Sequence, residues 1–416
     1  MSNIEKIKNG FFASCPGGLE QFLLEEVKAL KPKEAKLVKG GVEFTALPEI
    51  AIELMFSSRI ASRVYKALYT YDVKNEKDLY IGARDVKWKA IFDLTQTFKV
   101  SVIQSRSPNG KKRSKFDNSM FLGQKLKDAI VDDFRKEFDG ARPSIEKNHP
   151  DVTIMLHLEP HDNPHSQKEK VTLLLDMSGR PLSQRGYKVS EFDAPLRENL
   201  AAGLVKMMDL KPDQNFLDAM CGSGTILTEA LLAAGQIPPS FLNLSWIAHE
   251  NRFWDFEHHF WFVKSDYLKD KFLDLIEKYK TLTEQGYERL KNKKAEFRGN
   301  DISPDAVRAT LDNLKRANLQ AFVELSIEDA LNLEANSEQG VVVVNPPYGE
   351  RLGKDEDLEH LYHEFGETLK HKFKGYKGYV LTGNLPLLKK ISLRSARKEI
   401  VYNGNIESRF VEYQLY

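Results

Sequence analysis

The sequence predicts an α/β protein built on a seven-stranded, mostly parallel sheet, with two smaller α+β units ahead of it. Three observations carry this expectation. From residue 199 onward, short apolar runs alternate with helical stripes and close on a hairpin, the pattern of an open sheet with crossover helices. Two of the runs end abruptly in polar, turn-forming residues: Asp218 ahead of Gly222-Ser223-Gly224, and Val344 ahead of Asn345-Pro346-Pro347-Tyr348. Open α/β sheets hold their ligands at the carboxyl ends of such strands. Before residue 180 the alternation is tighter and includes basic, turn-rich loops, which suits small α+β modules.

The bulk composition bounds the class. At 416 residues, two or three domains are expected. The 61 basic and 60 acidic residues cancel to +1, so only local clustering of charge can indicate a nucleic-acid partner. Two cysteines, Cys15 and Cys221, exclude a disulfide framework and fit a reducing cytoplasm. The start, Met1-Ser2-Asn3-Ile4-Glu5-Lys6, lacks the apolar core of a signal peptide. No apolar run approaches the roughly 20 residues that span a bilayer, and no repeat of fixed period is present.

In residues 1–65, Phe11 to Cys15 reads as a strand closed by Pro16-Gly17-Gly18. Leu19 to Leu30 carries a helical stripe, Val42-Glu43-Phe44 alternates as a strand, and Pro48 to Ser58 is a second helix. This is a β-α-β-α unit of the ferredoxin-like kind. In residues 66–178, Asp85 to Phe92 reads as a helix and Phe98 to Ile103 as a strand. Helix 119–136 follows, with Met120, Leu122, Leu126, Ile130, Val131 and Phe134 on one stripe. Two strands, Val152 to Leu158 and Val171 to Asp176, flank a polar loop holding His161 and His165. No Cys or further His stands at metal spacing, so these two histidines read as solvated. Between the strand and helix 119–136 lies a loop with five cations and no anion: Arg106, Lys111, Lys112, Arg113 and Lys115. Such a run is often a solvated turn. Its place between a strand and a helix of a small α/β module also suits contact with phosphates.

A polar connection, 179–198, marks the main boundary. Helix 199–208 leads to the strand ending at Asp218, the Gly222-Ser223-Gly224 turn and a helix from Thr225. The glycines let backbone approach a ligand closely, and the helix start favours polar or anionic groups. The third glycine of a dinucleotide fingerprint is missing, and an acid precedes the turn. An acid there would repel a pyrophosphate and pair with a cationic amino acid moiety, which points to S-adenosylmethionine rather than NAD. Residues 237–297, containing Trp246, Trp254 and Trp261, read as a helical insertion beside the sheet, with a charged helix from Asp266 to about Lys294. The tryptophans, of which 254 and 261 stand at helical spacing, read as packing anchors. Phe297 to Asp301 is the next strand. Ser303-Pro304 starts a helix, and Val323 to Ser326 is a strand leading to Asp329. Asp301, at the second strand end, suits ribose hydroxyls and Asp329 an adenine amino group, although each alone reads as an N-cap. Gly340 to Val344 is a fully buried strand stopped by two prolines. A helix over 357–372, a strand over 378–383 and a hairpin with Asn403-Gly404 at its tip complete the sheet.

Asp218 to Thr225, taken with Asn345-Pro346-Pro347-Tyr348, resembles the class I methyltransferases that methylate an exocyclic amine. The longer form, continuing Gly349-Glu350-Arg351-Leu352-Gly353, is similar to the bacterial 23S rRNA N2-guanine methyltransferases. Arg185-Gly186-Tyr187 and Ala194-Pro195-Leu196-Arg197-Glu198-Asn199-Leu200 match that family's linker and first catalytic helix. The resemblance implies a Rossmann-like methyltransferase domain at 179–416, behind a ferredoxin-like module at 1–65 and a THUMP RNA-binding domain at 66–178. It implies S-adenosyl-L-methionine bound by Asp218, Cys221, Gly222, Ser223, Gly224, Thr225, Asp301, Ile302, Asp329 and Asn345. Catalysis would fall to Asn345, Pro346, Pro347 and Tyr348. The implied partner is 23S rRNA or a large-subunit precursor, met by a cytoplasmic monomer without metal or membrane. The chain departs from the family at Ala219, where Pro is usual, and by ending without the second methyltransferase domain that some members fuse. An N6-adenine methyltransferase uses the same tetrapeptide, and an RNA-binding assembly factor with a relict cofactor fold is the non-enzymatic alternative. The intact acids and Asn345 count against the latter.

Overall fold

The computed structural model describes residues 9–104, 116, 118–161, 163, 166–190, 196–211, 213–242, 254–347 and 355–416. Two seven-stranded sheets organise them. The first contains β1 (Gly10–Ser14), β2 (Glu34–Val38), β3 (Gly41–Thr45), β4 (Arg63–Val73), β5 (Phe98–Gln104), β6 (Val152–Pro160) and β7 (Glu169–Asp176), in the order β2-β3-β1-β4-β7-β6-β5. Only β5 and β6 pair in parallel. The second contains β8 (Asn215–Asp218), β9 (Phe297–Asp301), β10 (Glu324–Ile327), β11 (Gly340–Val344), β12 (Lys377–Thr382), β13 (Ser395–Asn403) and β14 (Ile406–Gln414), in the order β10-β9-β8-β11-β12-β14-β13. Here β14 alone runs against its neighbours.

The helices flanking the first sheet are α1 (Glu20–Ala29), α2 (Pro48–Ser57), α3 (Glu76–Ala83) and α4 (Ser119–Glu137). Those accompanying the second are α5 (Glu198–Met208), α6 (Thr225–Ala234), α7 (Asp266–Lys291), α8 (Pro304–Arg316) and α9 (Asp355–Lys372). Burial on both faces of β11 explains its unbroken valine run. Val341 and Val343 join the core shared with α5 and α6, while Val342 and Val344 join a separate core with Tyr362 and Phe365 of α9. Each is essentially inaccessible to solvent and stabilises the sheet by about 1.5–3 kcal/mol relative to exposure.

Several expectations need correction. The first unit is β-α-β-β-α-β, because β2 and β4 were not anticipated. β2 is an exposed edge strand whose sequence Glu34-Ala35-Lys36-Leu37-Val38 carries little apolar signal. Strand β4 runs across the expected 65/66 division without contradicting it: its first part pairs with β1 and its later part with β7. Residues 85–92 form only a 3₁₀ turn at Trp88–Ala90. The helix lies upstream at α3, where the Asn75 side chain accepts from the Lys77 and Asp78 amides. Met120 leaves the stripe of α4 and is 83% exposed. Trp254 and Trp261 share no helix; Trp254 precedes a 3₁₀ turn and packs edge-on against Phe56. Gly404 and Asn405 form the hairpin tip, with Gly404 at φ +63°, as a type II′ turn requires at its first central position.

The connection after residue 179 is more than a linker. Arg185 and Tyr187 are buried. Arg185 pairs with Glu229 of α6 and also donates to the Arg59 carbonyl at 2.6 Å. The Tyr187 hydroxyl donates to Glu229 at 2.8 Å. Arg59 reaches across to the carbonyls of Leu232 (3.0 Å) and Ile237 (2.5 Å). Asn199 of α5 donates to the Ile60 carbonyl at 3.1 Å and the Ser62 hydroxyl at 2.9 Å. The inserted helix α7 also crosses to the first unit, through Lys278–Glu53 at 2.5 Å and the Tyr279 ring stacked on Phe56. The first unit is therefore seated on α5, α6 and α7.

Removing one partner of a buried ion pair strands the other charge in low dielectric. Arg185→Leu is expected to cost about 3–5 kcal/mol in denaturant unfolding. The Arg185→Leu/Glu229→Leu double variant should recover most of that loss.

Candidate functional site

The site is assembled where β8, β9, β10 and β11 end side by side. Parallel pairing of β8 with β9 and β11, and of β9 with β10, brings Asp218, Asp301, Asp329 and Asn345 to one edge. Asn300 holds three of these ends together. Its buried amide donates to the carbonyls of Ala219 (3.1 Å) and Glu328 (3.0 Å) and accepts from the Ser326 hydroxyl at 2.8 Å.

The glycine loop between β8 and α6 depends on left-handed backbone, with Gly222 at φ +54° and Gly224 at φ +74°. A Cβ on Gly224 would also come within 2.6 Å of Thr310, so space and backbone both demand glycine there. Helix α8 braces the loop from below. Thr310 donates to the Gly222 carbonyl at 2.8 Å, and its hydroxyl lies 3.5 Å from the Cys221 sulfur. Asn313 donates to the carbonyls of Ser223 (3.0 Å) and Ser190 (2.8 Å) and accepts from the amides of Val189 and Ser190. All four hydrogen-bonding positions of that amide are used. The Cys221 thiol faces inward, where burial pushes its pKa up. Ser223 and Thr225 are buried in the same turn.

The acids differ in what they have left to offer. Asp301 accepts from the Gly222 amide at 3.0 Å and the Ser303 amide at 3.0 Å, yet its carboxylate retains further lone pairs. Asp329 caps a short 3₁₀ turn through Oδ1, which accepts from the Leu331 amide at 3.0 Å. Asp218 is fully buried, and its Oδ1 has no hydrogen-bond partner. Burial first, and the neighbouring Asp301 second, push its pKa up to about 8. A cationic group would remove that penalty by favouring the ionised form. Beside these acids Ile302 and Ile327 expose apolar side chains at 68% and 57%.

At the end of β11, Asn345 presents a buried Oδ1 with no hydrogen-bond partner. Pro346 and Pro347 follow outside any helix or strand and carry no N–H. The Tyr362 hydroxyl of α9 lies 3.5 Å from the Pro347 carbonyl and 2.9 Å from the Thr382 hydroxyl at the end of β12. Two unsatisfied acceptors, on Asp218 and Asn345, thus lie on adjacent strands. Tyr348 and the loop cations Arg106, Lys111, Lys112, Arg113 and Lys115 lie outside the described residues, as does His165. His161 sits 3.5 Å from Asp72 and accepts from the Asn163 amide. Among the described residues, no group of three or more His, Cys, Asp or Glu side chains could hold a metal ion.

Sequence reasoning missed Asn300, Thr310, Asn313, Tyr362 and Thr382. A faint signal existed on α8. Thr310 and Asn313 are buried on the same face as Val307 and Leu314, while the apolar Leu311 is only half-buried.

The strand order and the glycine loop after β8 define a class I, Rossmann-like methyltransferase fold. Family comparison agrees. Residues 185–412 match the RMKL-like methyltransferase domain, 73–162 match the THUMP domain and 10–65 match the RlmL ferredoxin-like domain. The chain therefore belongs to the RMKL-like methyltransferase domain family. It is 34% identical over 415 residues to the ribosomal RNA large subunit methyltransferase K/L of Methylococcus capsulatus, covering 97% of this chain and 51% of that protein. The chain thus spans about half the length of the curated relatives it matches. Among solved structures, a possible methylase from Clostridium difficile 630 superposes with a TM-score of 0.78 at 25% identity, over 98% of both chains. SMU.472, solved with SAH, superposes at 0.76 and 23% identity, also over 98% of both.

The raised carboxyl of Asp218 makes stability depend on pH. Its folded-state pKa of about 8 exceeds the unfolded value, so the folded state holds the proton more tightly. That contribution is complete in acid and is lost as pH rises from about 4 towards 8. The ligand-free Asp218→Asn chain should melt above the wild type at pH 8, with the gap closing towards pH 4. A gap independent of pH would contradict the assignment.

Proposed function

We propose that this chain transfers a methyl group from S-adenosyl-L-methionine to the exocyclic N2 amine of a guanosine in 23S rRNA. The observation that carries the reading is the buried, unpartnered Oδ1 of Asn345, set one strand away from the Asp218 glycine loop. Support also comes from the relatives' name, ribosomal RNA large subunit methyltransferase K/L, and from the SAH bound to SMU.472. Guanine rather than adenine rests on the likeness of residues 345–353 to the N2-guanine enzymes.

The residues present fit the cofactor. Asp218 offers a carboxylate to its ammonium group. Asp301 offers acceptors to ribose hydroxyls, and Gly222 and Gly224 leave room for close approach. Ile302 offers an apolar surface to the adenine ring and Asp329 an acceptor to the adenine amine. S-adenosylmethionine supplies an electrophilic methyl group on a sulfonium. The guanine amine is a poor nucleophile because its lone pair is delocalised into the ring. Asn345 Oδ1 and the Pro346 carbonyl accept its two N–H bonds, drawing the nitrogen towards tetrahedral geometry and aiming the lone pair. Pro346 and Pro347 keep competing N–H donors out of the turn. Tyr348 stacks on the base, an interaction worth about 1–3 kcal/mol, once the nucleotide has left its own stack. The gain is chiefly orientation, for which well-aligned intramolecular systems show about 7–11 kcal/mol.

The domain division we propose is 1–65, 66–178 and 179–416, with the helical insertion at about 237–297. The THUMP domain and the loop cations Arg106, Lys111, Lys112, Arg113 and Lys115 hold the RNA by its phosphates. The partner is 23S rRNA or a large-subunit precursor, and the chain works as a monomer in the cytoplasm. No helix among the described residues is long and apolar enough to cross a membrane.

Asn345→Ala should lower kcat/KM for RNA methylation by at least about 10²–10³-fold, the scale seen when one positioned polar group is removed from an active site. Calorimetric affinity for S-adenosylmethionine should change only a few-fold. Wild-type turnover in that variant would refute the assignment.

A further inference from the structure

A proline pair poses a mechanical problem. Residues 346 and 347 have no N–H to give, so neighbours can steady this turn only through its carbonyls and side chains. Those carbonyls must nevertheless be aimed, because the turn carries the acceptors proposed for the substrate amine. The neighbouring elements supply a chain of hydroxyls that reaches the turn from behind. The Asn384 amide donates to the Thr382 hydroxyl at 3.0 Å. Thr382 and Tyr362 are joined at 2.9 Å, and Tyr362 donates to the Pro347 carbonyl at 3.5 Å. The direction of the chain follows from its ends. The amide can only donate and the carbonyl can only accept. Tyr362 gives its single proton to Pro347 and so accepts from Thr382, which in turn accepts from Asn384. Tyr362 and Thr382 are almost completely buried, at 1% and 0% exposure. Water therefore cannot substitute freely for either hydroxyl.

From this geometry we infer that Tyr362, oriented by Thr382, is a positioning residue for methyl transfer. It holds the Pro347 carbonyl away from the substrate side and, because the ring of Pro347 locks φ, steadies the preceding peptide that carries the Pro346 carbonyl. The inference rests on the proposed function and deepens it. The proposed action of Tyr362 runs through the turn, by way of its contact with the Pro347 carbonyl. The ring belongs to the core with Val342, Val344 and Leu358, so its packing and its hydroxyl can be separated by substitution.

The test uses the full chain with 23S RNA and four variants: Tyr362→Phe, Thr382→Val, Thr382→Ser and the Tyr362→Phe/Thr382→Val double. Tyr362→Phe keeps the ring and removes the hydroxyl; single-turnover methyl transfer should fall about 10-fold, while affinities for S-adenosylmethionine and RNA stay within two-fold. Thr382→Val should reproduce this loss, Thr382→Ser should restore transfer, and the double variant should be no slower than either single. Transfer within two-fold of wild type in Tyr362→Phe overturns the inference. So does a loss that weakens S-adenosylmethionine binding in proportion, or additive losses in the double variant. If the wild type itself forms no N2-methylguanosine, the underlying function fails and the inference with it, an outcome distinct from an active wild type with an indifferent Tyr362→Phe.

Discussion

The buried amide of Asn300 is the tie on which the site depends. Parallel strands bring their ends together only approximately, and loops that follow them are free to splay. By bonding Ala219, Glu328 and Ser326 at once, Asn300 locks the exits of β8, β9 and β10 into one register. The same exits carry Asp218, Asp301 and Asp329. Burying Asp218, with the nearby Asp301 as the smaller cause, costs free energy, which shows as the upward shift of its pKa. Such a site is set against itself until a cation arrives, and a ligand with a positive end gains affinity from relieving it. Asn313 repeats the device one layer down, where it binds the glycine loop to the Val189–Ser190 segment of the interdomain connection.

The other half of the site has a different logic. β11 is a rigid, doubly buried rod, and its end is defined by residues that cannot extend a ladder. Asn345 and the two prolines therefore sit at a fixed height against the glycine loop, as the pairing of Val343 with Asp218 shows. An unpartnered amide oxygen held there is costly in a ligand-free chain. Its persistence makes sense where a donor from outside completes it. The amino-terminal units enter through a third constraint, the buried Arg185–Glu229 pair with Arg59 and Asn199 around it. These bonds seat the first unit on the helices of the second sheet, and β4 joins that unit to the strands after it.

Legibility in the sequence followed burial. β11, covered on both faces, announces itself as an apolar run with a sharp polar stop, whereas β9, with Phe297 its one large apolar residue, was legible from its acidic end; both were read to the residue. The glycine loop and the acids were legible because their residue types are forced by backbone conformation and ligand charge. The exposed edge strand β2 had no apolar pattern to read, and α3 was hidden because its apolar face is short. Asn300, Asn313 and Arg185 were invisible for a different reason. Each binds carbonyls or a carboxylate brought near only by the fold, and a polar residue in a helix, strand end or linker looks solvated until its partners are known. Tyr362 of α9 and Thr382 at the end of β12 belong to the same class.

The central claim is that the paired acceptors of the proline turn face a guanine amine. Its most direct measurement is nucleoside analysis of 23S rRNA incubated with the purified chain and isotopically methyl-labelled S-adenosylmethionine. The account predicts label in N2-methylguanosine. Label in N6-methyladenosine, or none in any nucleoside, would contradict it.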